Sequence, residues 1–207
     1  MSGNERQQAF DRLCREAARC RRCPRMSRRK AVLGPLNGTL RPKVLFIGEA
    51  PGRQGAEITR KPFCGDVSGR KFEMLLASAG LSRDDAFITN AALCCPADDR
   101  RNNTPTAAEV RNCRPFLQRL IDLLEPPVVA TVGAVALKAI EPLTGSAREG
   151  ILAPASRGLK LAEVAGTVIR GARFLLVPLY HTSPRVLNTT RSFAQQQADF
   201  LKLREAI

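Results

Sequence analysis

Seven cysteines and a single histidine are the side chains of this 207-residue chain that are best suited to chemistry. Four of the cysteines form a pattern: Cys20 and Cys23 in a C-x-x-C spacing, then Cys94 or its neighbour Cys95, and then Cys113. Clustered thiolates are typical of a metal or iron–sulfur site, or of a disulfide framework. Zinc uses the same ligands, so the spacing alone leaves an iron–sulfur cluster, a zinc ion and ordinary buried thiols open.

The beginning of the chain and its apolar runs bear on the compartment. Residues 1–10 are mostly polar, and no apolar run approaches the roughly 20 residues that a membrane span requires. We therefore expect no membrane association and a cytoplasmic location (bacterial cytoplasm or nucleoid), where cysteines serve metal binding or catalysis more often than disulfides. An odd count of seven also fits full disulfide pairing poorly.

The single histidine follows a predicted strand. The apolar run Phe174–Leu179 predicts a buried strand, and His181 comes two residues after it. Ligands of open α/β sheets bind at the carboxyl ends of the strands, so His181 is a candidate active-site residue. Glu49 and Asn90 stand at the ends of two other predicted strands. A core histidine with no chemical role is the alternative.

A strong positive charge indicates the class of partner. Thirty-three Lys and Arg residues oppose nineteen Asp and Glu residues, which gives a formal net charge of +14. The arginines are grouped, notably in 19–22 and 28–30. Arginine forks suit phosphate oxygens, so the composition favours a nucleic acid over a merely soluble basic surface.

Predicted strands and helices alternate along the chain. Apolar runs predict strands at 44–47, 86–92, 128–132 and 174–179, and periodic patterns predict helices at 5–19, 71–79, 107–124, 133–140 and 192–204. Thr106 and Glu109 predict a capping box at the start of the third helix. Residues 145–171 read as irregular, with a possible β-hairpin. Strands separated by helices imply parallel pairing. We predict one domain, residues 1–207, of three α/β/α layers with a central four-stranded parallel sheet.

Four short strings occur in an order that resembles a known family. They are GEAPG at 48–52, KPFCGDVSG at 61–69, TN at 89–90 and HTSP at 181–184. The order resembles the uracil-DNA glycosylase superfamily, in particular its iron–sulfur branches, families 4 and 5. The cysteines are similar too: C-x-x-C-P early in the chain, one cysteine after the second strand and one in the following helix. Features of both branches occur, and together the matches cover nearly the whole chain.

The resemblance implies a cofactor. Cys20, Cys23, Cys94 and Cys113 would ligate a [4Fe–4S] cluster, because thiolates are the ligands that such clusters require. Pro96 follows Cys94 at the family's spacing, which favours Cys94 over Cys95 as the ligand. The cluster would hold the basic loops in place.

The resemblance also implies how a base is held. Phe63 would stack on an extruded uracil. The Asn90 amide would pair with O4 and N3–H of uracil and would clash with cytosine. His181 would donate a hydrogen bond to O2 as negative charge builds on the departing base. A loop phenylalanine tucked into the core and a turn-forming asparagine are the alternatives for the first two.

A carboxylate is expected to align the attacking water, and the sequence leaves more than one candidate for it. The best-known glycosylase family has an aspartate where this chain has Ala50. Glu49 and Asp66 are the candidates to align the water. Either carboxylate could instead anchor a loop by accepting backbone N–H groups.

The segment after the histidine suits contact with DNA. Val186 or Leu187 would wedge into the gap that a flipped nucleotide leaves, and the alternative is a capped loop before the last helix. The residues that we expect to bind DNA are Ser183, Arg185, Leu187 and Arg191.

These features together predict a monofunctional, monomeric DNA-repair glycosylase. It would flip uracil out of single- or double-stranded DNA and hydrolyse the N-glycosidic bond, leaving an abasic site. Glu49, Asp66, Asn90 and His181 would be its catalytic residues. Two alternatives remain: a glycosylase that also accepts hypoxanthine or xanthine, and a catalytically silent iron–sulfur module that binds nucleic acid.

Overall fold

A computed structural model of the chain describes residues 1–96, 98, 101–141, 158–171 and 173–207. The strands are β1 Val44–Gly48, β2 Ala86–Asn90, β3 Val128–Val132, β4 Ile169–Arg170 and β5 Leu175–Leu179. The helices are α1 Gly3–Arg19, α2 Ala56–Thr59, α3 Val67–Ser78, α4 Ala107–Leu124, α5 Ala134–Ile140, α6 Leu161–Val164, α7 Pro184–Thr189 and α8 Phe193–Ala206.

The strands form one sheet in the order β2-β1-β3-β5-β4. The first four of these pair in parallel, which confirms the predicted α/β class and its parallel crossovers. The predicted count of four strands is wrong, because β4 adds a fifth strand that runs antiparallel to β5. That strand spans two residues, too few to produce an alternating apolar pattern. Of the predicted irregular region 145–171, residues 145–157 lie outside the described residues, and the described remainder holds α6 and β4.

Helices cover both faces of the sheet, as a three-layer arrangement requires. On one face, Leu45 and Ile47 of β1 belong to an apolar core that includes residues of α1, α4 and α5. On the other face, Phe46 belongs to a second core with residues of α3 and α8. Strand side chains alternate between the two faces, so both cores are filled from the same strands.

Capping side chains fix where the helices begin. The predicted capping box of α4 is confirmed, because Thr106 Oγ1 accepts from Glu109 N–H at 3.2 Å and the Glu109 carboxylate accepts from Thr106 N–H at 2.8 Å. Helix α3 begins four residues before its predicted start. There Asp66 accepts from Gly69 N–H at 2.8 Å, a cap that apolar periodicity does not reveal.

The parallel strands bring their carboxyl ends to one edge of the sheet. Gly48 pairs in register with Asn90, and Val132 pairs with Leu179. The segments that leave these strands therefore start side by side, which is where a parallel sheet exposes a ligand site. Among the described residues, no helix is both long enough and apolar enough to cross a membrane.

Helix α8 depends on one aromatic anchor, which yields a stability prediction. Phe200 is fully buried, with its ring centroid 6.3 Å from that of Phe46 and 6.1 Å from that of Phe72. We expect Phe200→Ala to lower the free energy of unfolding by about 3–5 kcal/mol, because it leaves a cavity between helix and sheet. Leu201→Ala is the matched control: its side chain is 42% exposed, so a change within about 0.5 kcal/mol is expected. Equal effects in urea unfolding would contradict this packing.

Candidate active site and thiol site

A cavity of about 630 Å³ opens at the carboxyl edge of the sheet. Residues from all four strings of the sequence pattern line it, and so does the segment that follows the histidine. The predicted site residues that it brings together are Glu49, Phe63, Asp66, Asn90, His181, Ser183 and Arg185. The fold therefore gathers positions that lie more than 130 residues apart in the chain.

The imidazole of His181 is held in one tautomer. Ser183 N–H donates to its Nδ1 at 3.1 Å, so in the neutral ring the proton is on Nε2. Burial lowers the pKa of His181, and the nearby Asp66 charge only partly opposes this effect. A neutral imidazole with Nε2–H is a hydrogen-bond donor, and it suits a partner that becomes negatively charged.

The backbone after His181 is also braced. The side-chain amide of Gln196, on α8, donates to the His181 carbonyl at 3.3 Å. The Thr182 hydroxyl donates to the Ser68 carbonyl at 2.9 Å, which joins this segment to the start of α3. The imidazole thus stands on a backbone that two other elements hold.

A glycine makes room for the amide and the aromatic ring. Asn90 is buried at the end of β2, opposite Gly48. A Cβ atom on Gly48 would lie 2.5 Å from Asn90 Oδ1 and 3.0 Å from the Phe63 ring. Any larger residue would displace both groups, so the glycine sets how closely they approach each other.

The ring of Phe63 is positioned from several sides. Its backbone is left-handed, with φ of 47°, and its ring stacks on Phe72 at a centroid distance of 4.5 Å. The Phe63 ring is tilted by 39° relative to the imidazole of His181, at 6.0 Å. Arg83 donates to the carbonyl oxygens of Pro62 and Phe63 at 2.8 and 2.9 Å. These contacts hold an unusual backbone conformation that a non-glycine residue rarely adopts alone.

The two candidate carboxylates differ in their surroundings. Burial raises the pKa of Glu49, and hydrogen bonding from the Thr104 side chain acts in the opposite direction. Asp66 caps α3 through one oxygen. The other Asp66 oxygen lies against Gly55, where a Cβ atom would approach it to 2.6 Å. Asp66 thus does what the anchoring alternative describes. Within the described residues, no backbone N–H donates to the Glu49 carboxylate.

The structure separates the expected DNA-binding residues. Ser183 and Arg185 line the cavity, and so does Val186, the other wedge candidate. Leu187 is on α7, half-buried and outside the cavity lining. Arg191 is bound by Asp199, with contacts of 2.9 and 2.5 Å.

Sequence reasoning missed two asparagines. Asn102 and Asn103 line the cavity, in the polar loop between β2 and α4. Asn102 Oδ1 accepts from Arg53 N–H at 2.8 Å, which fixes the loop to the segment after β1. The two asparagines directly before Thr104-Pro105 were the available signal, since such a run after a strand end marks a loop at the ligand edge.

Four thiols lie together away from the cavity and form what we call the thiol site: Cys20, Cys23, Cys94 and Cys113. Burial and the charges of the other three thiols raise the pKa of Cys94 to about 12. Burial, with Cys23 and Cys20 as neighbours, raises that of Cys113 to about 11. The mutual influence on these pKa values places the four side chains near one another.

The donor set of the thiol site fits an iron–sulfur cluster. None of the seven cysteines, all of which are among the described residues, forms a disulfide, and Asn112 Nδ2 donates to Cys23 Sγ at 3.5 Å. Four neighbouring thiols and a hydrogen bond to sulfur are the features that such clusters use. A single zinc ion holds its thiolates about 2.3 Å away. Within the described ranges, no three Cys, His, Asp or Glu side chains are arranged to hold one metal ion.

Comparisons with known proteins agree with this geometry. The fold and cavity define an α/β protein with an amide, an imidazole and an aromatic ring at one ligand site. The family model "Uracil DNA glycosylase superfamily" matches residues 35–206. The chain therefore belongs to the uracil-DNA glycosylase superfamily.

Named relatives come from two types within this superfamily. A "Type-4 uracil-DNA glycosylase" of Saccharolobus solfataricus is 30% identical over 199 residues, 96% of this chain and 86% of the relative. A "Type-5 uracil-DNA glycosylase" of Pyrobaculum aerophilum is 27% identical over 221 residues, 93% of this chain and 91% of the relative. A type-4 enzyme of the same organism is 34% identical over 152 residues, 73% and 69% of the two chains.

The protonation state of the only histidine can be measured directly. We expect the His181 ring to stay neutral, with Nε2–H, as the pH falls through 6.5, because burial lowers its pKa below that value. An unfolded chain takes up this proton near pH 6.5, so the histidine's contribution to stability is present above pH 6.5 and is lost below it. NMR of the imidazole nitrogens over a pH titration measures this pKa, and only one histidine contributes signals. The urea-unfolded chain is the control. A folded-state pKa at or above 6.5 would contradict the assignment.

Proposed function

We propose that this protein excises uracil from DNA by hydrolysis of the N-glycosidic bond. The observation that carries the proposal is the meeting of Asn90, His181 and Phe63 around one cavity, in a chain of the uracil-DNA glycosylase superfamily. These three groups offer an amide for a base edge, a neutral donor for a developing anion and an aromatic face. That is the set a flipped base requires.

In the proposed reaction the DNA is gripped and the uracil leaves the base stack. A U·G mismatch makes this step easier, since less pairing energy is lost. Asn90 pairs with O4 and N3–H, and Phe63 stacks on the ring. As the bond to C1′ breaks, electrons move to the base, and His181 Nε2–H stabilises the negative charge at O2. Water then attacks C1′ and gives up one proton, to the carboxylate that aligns it or to the uracil anion, and an abasic site and free uracil remain.

Glu49 is the better candidate to align that water. Its raised pKa makes it a stronger base than an exposed carboxylate, and it faces the cavity. Asp66 has one oxygen bound in the cap of α3, so we assign it mainly to holding the Phe63 loop. Ala50, next to Glu49, supplies no carboxylate.

The DNA backbone would pass along the segment after His181. Ser183 and Arg185 are at the cavity rim, where they suit phosphate oxygens. Leu187, with Val186 as the alternative, would fill the gap in the base stack. Arg191 would contact phosphate only after its pair with Asp199 rearranges.

A broader base range is a second candidate. The cavity of about 630 Å³ is larger than a single pyrimidine needs, and one relative is a type-5 enzyme. Release of hypoxanthine or xanthine from matching oligonucleotides would extend the substrate range. A silent nucleic-acid-binding module, the remaining alternative, would release no base at all.

We also propose that Cys20, Cys23, Cys94 and Cys113 hold a [4Fe–4S] cluster. The support is the four neighbouring thiols, which are the ligands that iron–sulfur clusters use. When bound, the cluster would cross-link the chain start to the loop before α4 and to α4 itself. We further propose that residues 1–207 act as one domain, as a monomer, in the cytoplasm.

Removal of the imidazole or the amide should abolish base release. We expect His181→Ala and Asn90→Ala each to lower the single-turnover rate on a uracil-containing single strand by at least about 100-fold, because each removes a group that acts on the departing base. Gly34→Ala is the control, since a Cβ atom there meets nothing within 4 Å. Wild-type rates in both variants would refute the site, and an inactive wild type would refute the function.

The choice between neighbouring cysteines can also be tested. Cys94 is half-buried and interacts with the other three thiols, whereas Cys95 is packed in the core. We expect Cys94→Ser to lose absorbance near about 400 nm and most of the about four irons per chain. Cys95→Ser and Cys14→Ser should keep both. Zinc in place of iron by elemental analysis, or iron lost only in Cys95→Ser, would overturn the assignment.

A further inference from the structure

One loop segment connects the thiol site with the cavity. Residues 101–106, which we call the bridge segment, supply Asn102 and Asn103 to the cavity wall. At its carboxyl end Thr106 begins α4, the helix that carries Cys113. At its cavity end, the bridge segment is held by the hydrogen bond from Arg53 N–H to Asn102 Oδ1. Arg101 N–H and Asn103 Nδ2 also donate to Asp98, at 2.9 and 3.1 Å, but Asp98 belongs to the same loop. A loop that is joined to the rest of the protein by one contact needs a second anchor outside itself to keep a fixed position.

Arg25 supplies that second anchor. It follows Cys23-Pro24 directly, and its Nε donates to Glu109 Oε1 at 3.0 Å while its Nη2 donates to Glu109 Oε2 at 2.6 Å. The same Nη2 donates to the Thr104 carbonyl at 3.3 Å. This guanidinium thus hydrogen-bonds to both the bridge segment and Glu109 of the α4 capping box. Arg25 is two residues after Cys23, a member of the thiol site.

The acceptor of this contact is itself fixed. Glu109 is 7% exposed, and its carboxylate also accepts from Thr106 N–H. Hydrogen bonding from Arg25 lowers the pKa of Glu109, and bonds from Thr106 act in the same direction against the effect of burial. The carboxylate is therefore charged at neutral pH and paired in a bidentate geometry, which specifies orientation as well as proximity.

The far side of the bridge segment faces Glu49. The Thr104 side chain is close enough to Glu49 to lower the pKa of that carboxyl, against the effect of burial, and the Thr104 carbonyl accepts from Arg25 Nη2 at 3.3 Å. One residue thus connects the guanidinium to the carboxylate that we assign to the attacking water. A shift of Thr104 would move the neighbouring asparagines of the cavity wall and would change the surroundings of Glu49.

We propose that Arg25 is a positioning residue for base excision: it clamps the bridge segment to Glu109 and thereby places Thr104, the asparagine wall and Glu49. This inference rests on the proposed glycosylase function. In this role Arg25 does not contact the base; it acts on catalysis by holding other residues of the cavity in place.

Two other roles of Arg25 make different predictions. If Arg25 contacts a DNA phosphate, its removal would lower the affinity for DNA and reduce the salt dependence of binding. A purely structural role would lower stability or iron content without a specific effect on the chemical step. Arg28 is the matched control for charge, because it is exposed on the same loop and makes no hydrogen bond or ion pair with any described residue.

The experiment compares Arg25→Ala, Arg25→Lys, Glu109→Gln and Arg28→Ala as iron-loaded full-length proteins. On a uracil-containing single strand, we expect Arg25→Ala and Glu109→Gln each to lower kcat by at least about tenfold, with KM within about twofold. Their double variant should lose no more than either alone, because both break one contact. Arg25→Lys should recover part of the rate, and Arg28→Ala should keep wild-type kcat.

Iron content, melting temperature and the salt dependence of DNA binding are measured in parallel. Wild-type iron, a retained fold and an unchanged salt slope in Arg25→Ala would accompany the expected loss of kcat. The proposal is overturned if Arg25→Ala keeps wild-type kcat, loses activity through KM with a smaller salt slope, or loses its iron. An inactive wild-type protein would refute the glycosylase function itself, a result distinct from each of these.

Discussion

The close approach of three groups at Gly48 is the constraint on which the site depends. Parallel pairing places Gly48 beside Asn90, and the missing side chain lets the Phe63 ring reach the same place. The ring can occupy this position only with a left-handed backbone at Phe63, which Arg83 and the start of α3 support. An amide and an aromatic face at such short range are what make the cavity suitable for a flat base.

The imidazole reaches the same cavity from β5, which β3 separates from β1. His181 follows β5 and lies next to Gly133. A Cβ atom added to Gly133 would lie 3.5 Å from the Cβ atom of His181. Burial keeps the ring neutral and the Ser183 N–H selects its tautomer, so its donor is ready before any charge develops. Preorganised donors of this kind need no rearrangement during bond cleavage.

Much of the fold was predictable because it follows local rules. Four strands, their parallel pairing and the Thr106–Glu109 capping box were predictable from apolar runs, the alternation with helices and turn chemistry. The edge strand β4 was missed because two residues carry no periodicity. The start of α3 was missed because the Asp66 cap lies before the apolar pattern that marks the helix. Asn102 and Asn103 were missed because a loop's direction depends on contacts such as Arg53 N–H with Asn102.

By itself the sequence determined the α/β class, the basic character and which residue types could act, since composition, periodicity and ordered motifs are properties of the chain. Only the tertiary structure decided which of them meet. It placed Asp66 in a helix cap, paired Arg191 with Asp199, and set Arg25 between the thiol site and the cavity wall. These outcomes depend on distances between segments far apart in the chain, and no local pattern encodes such distances.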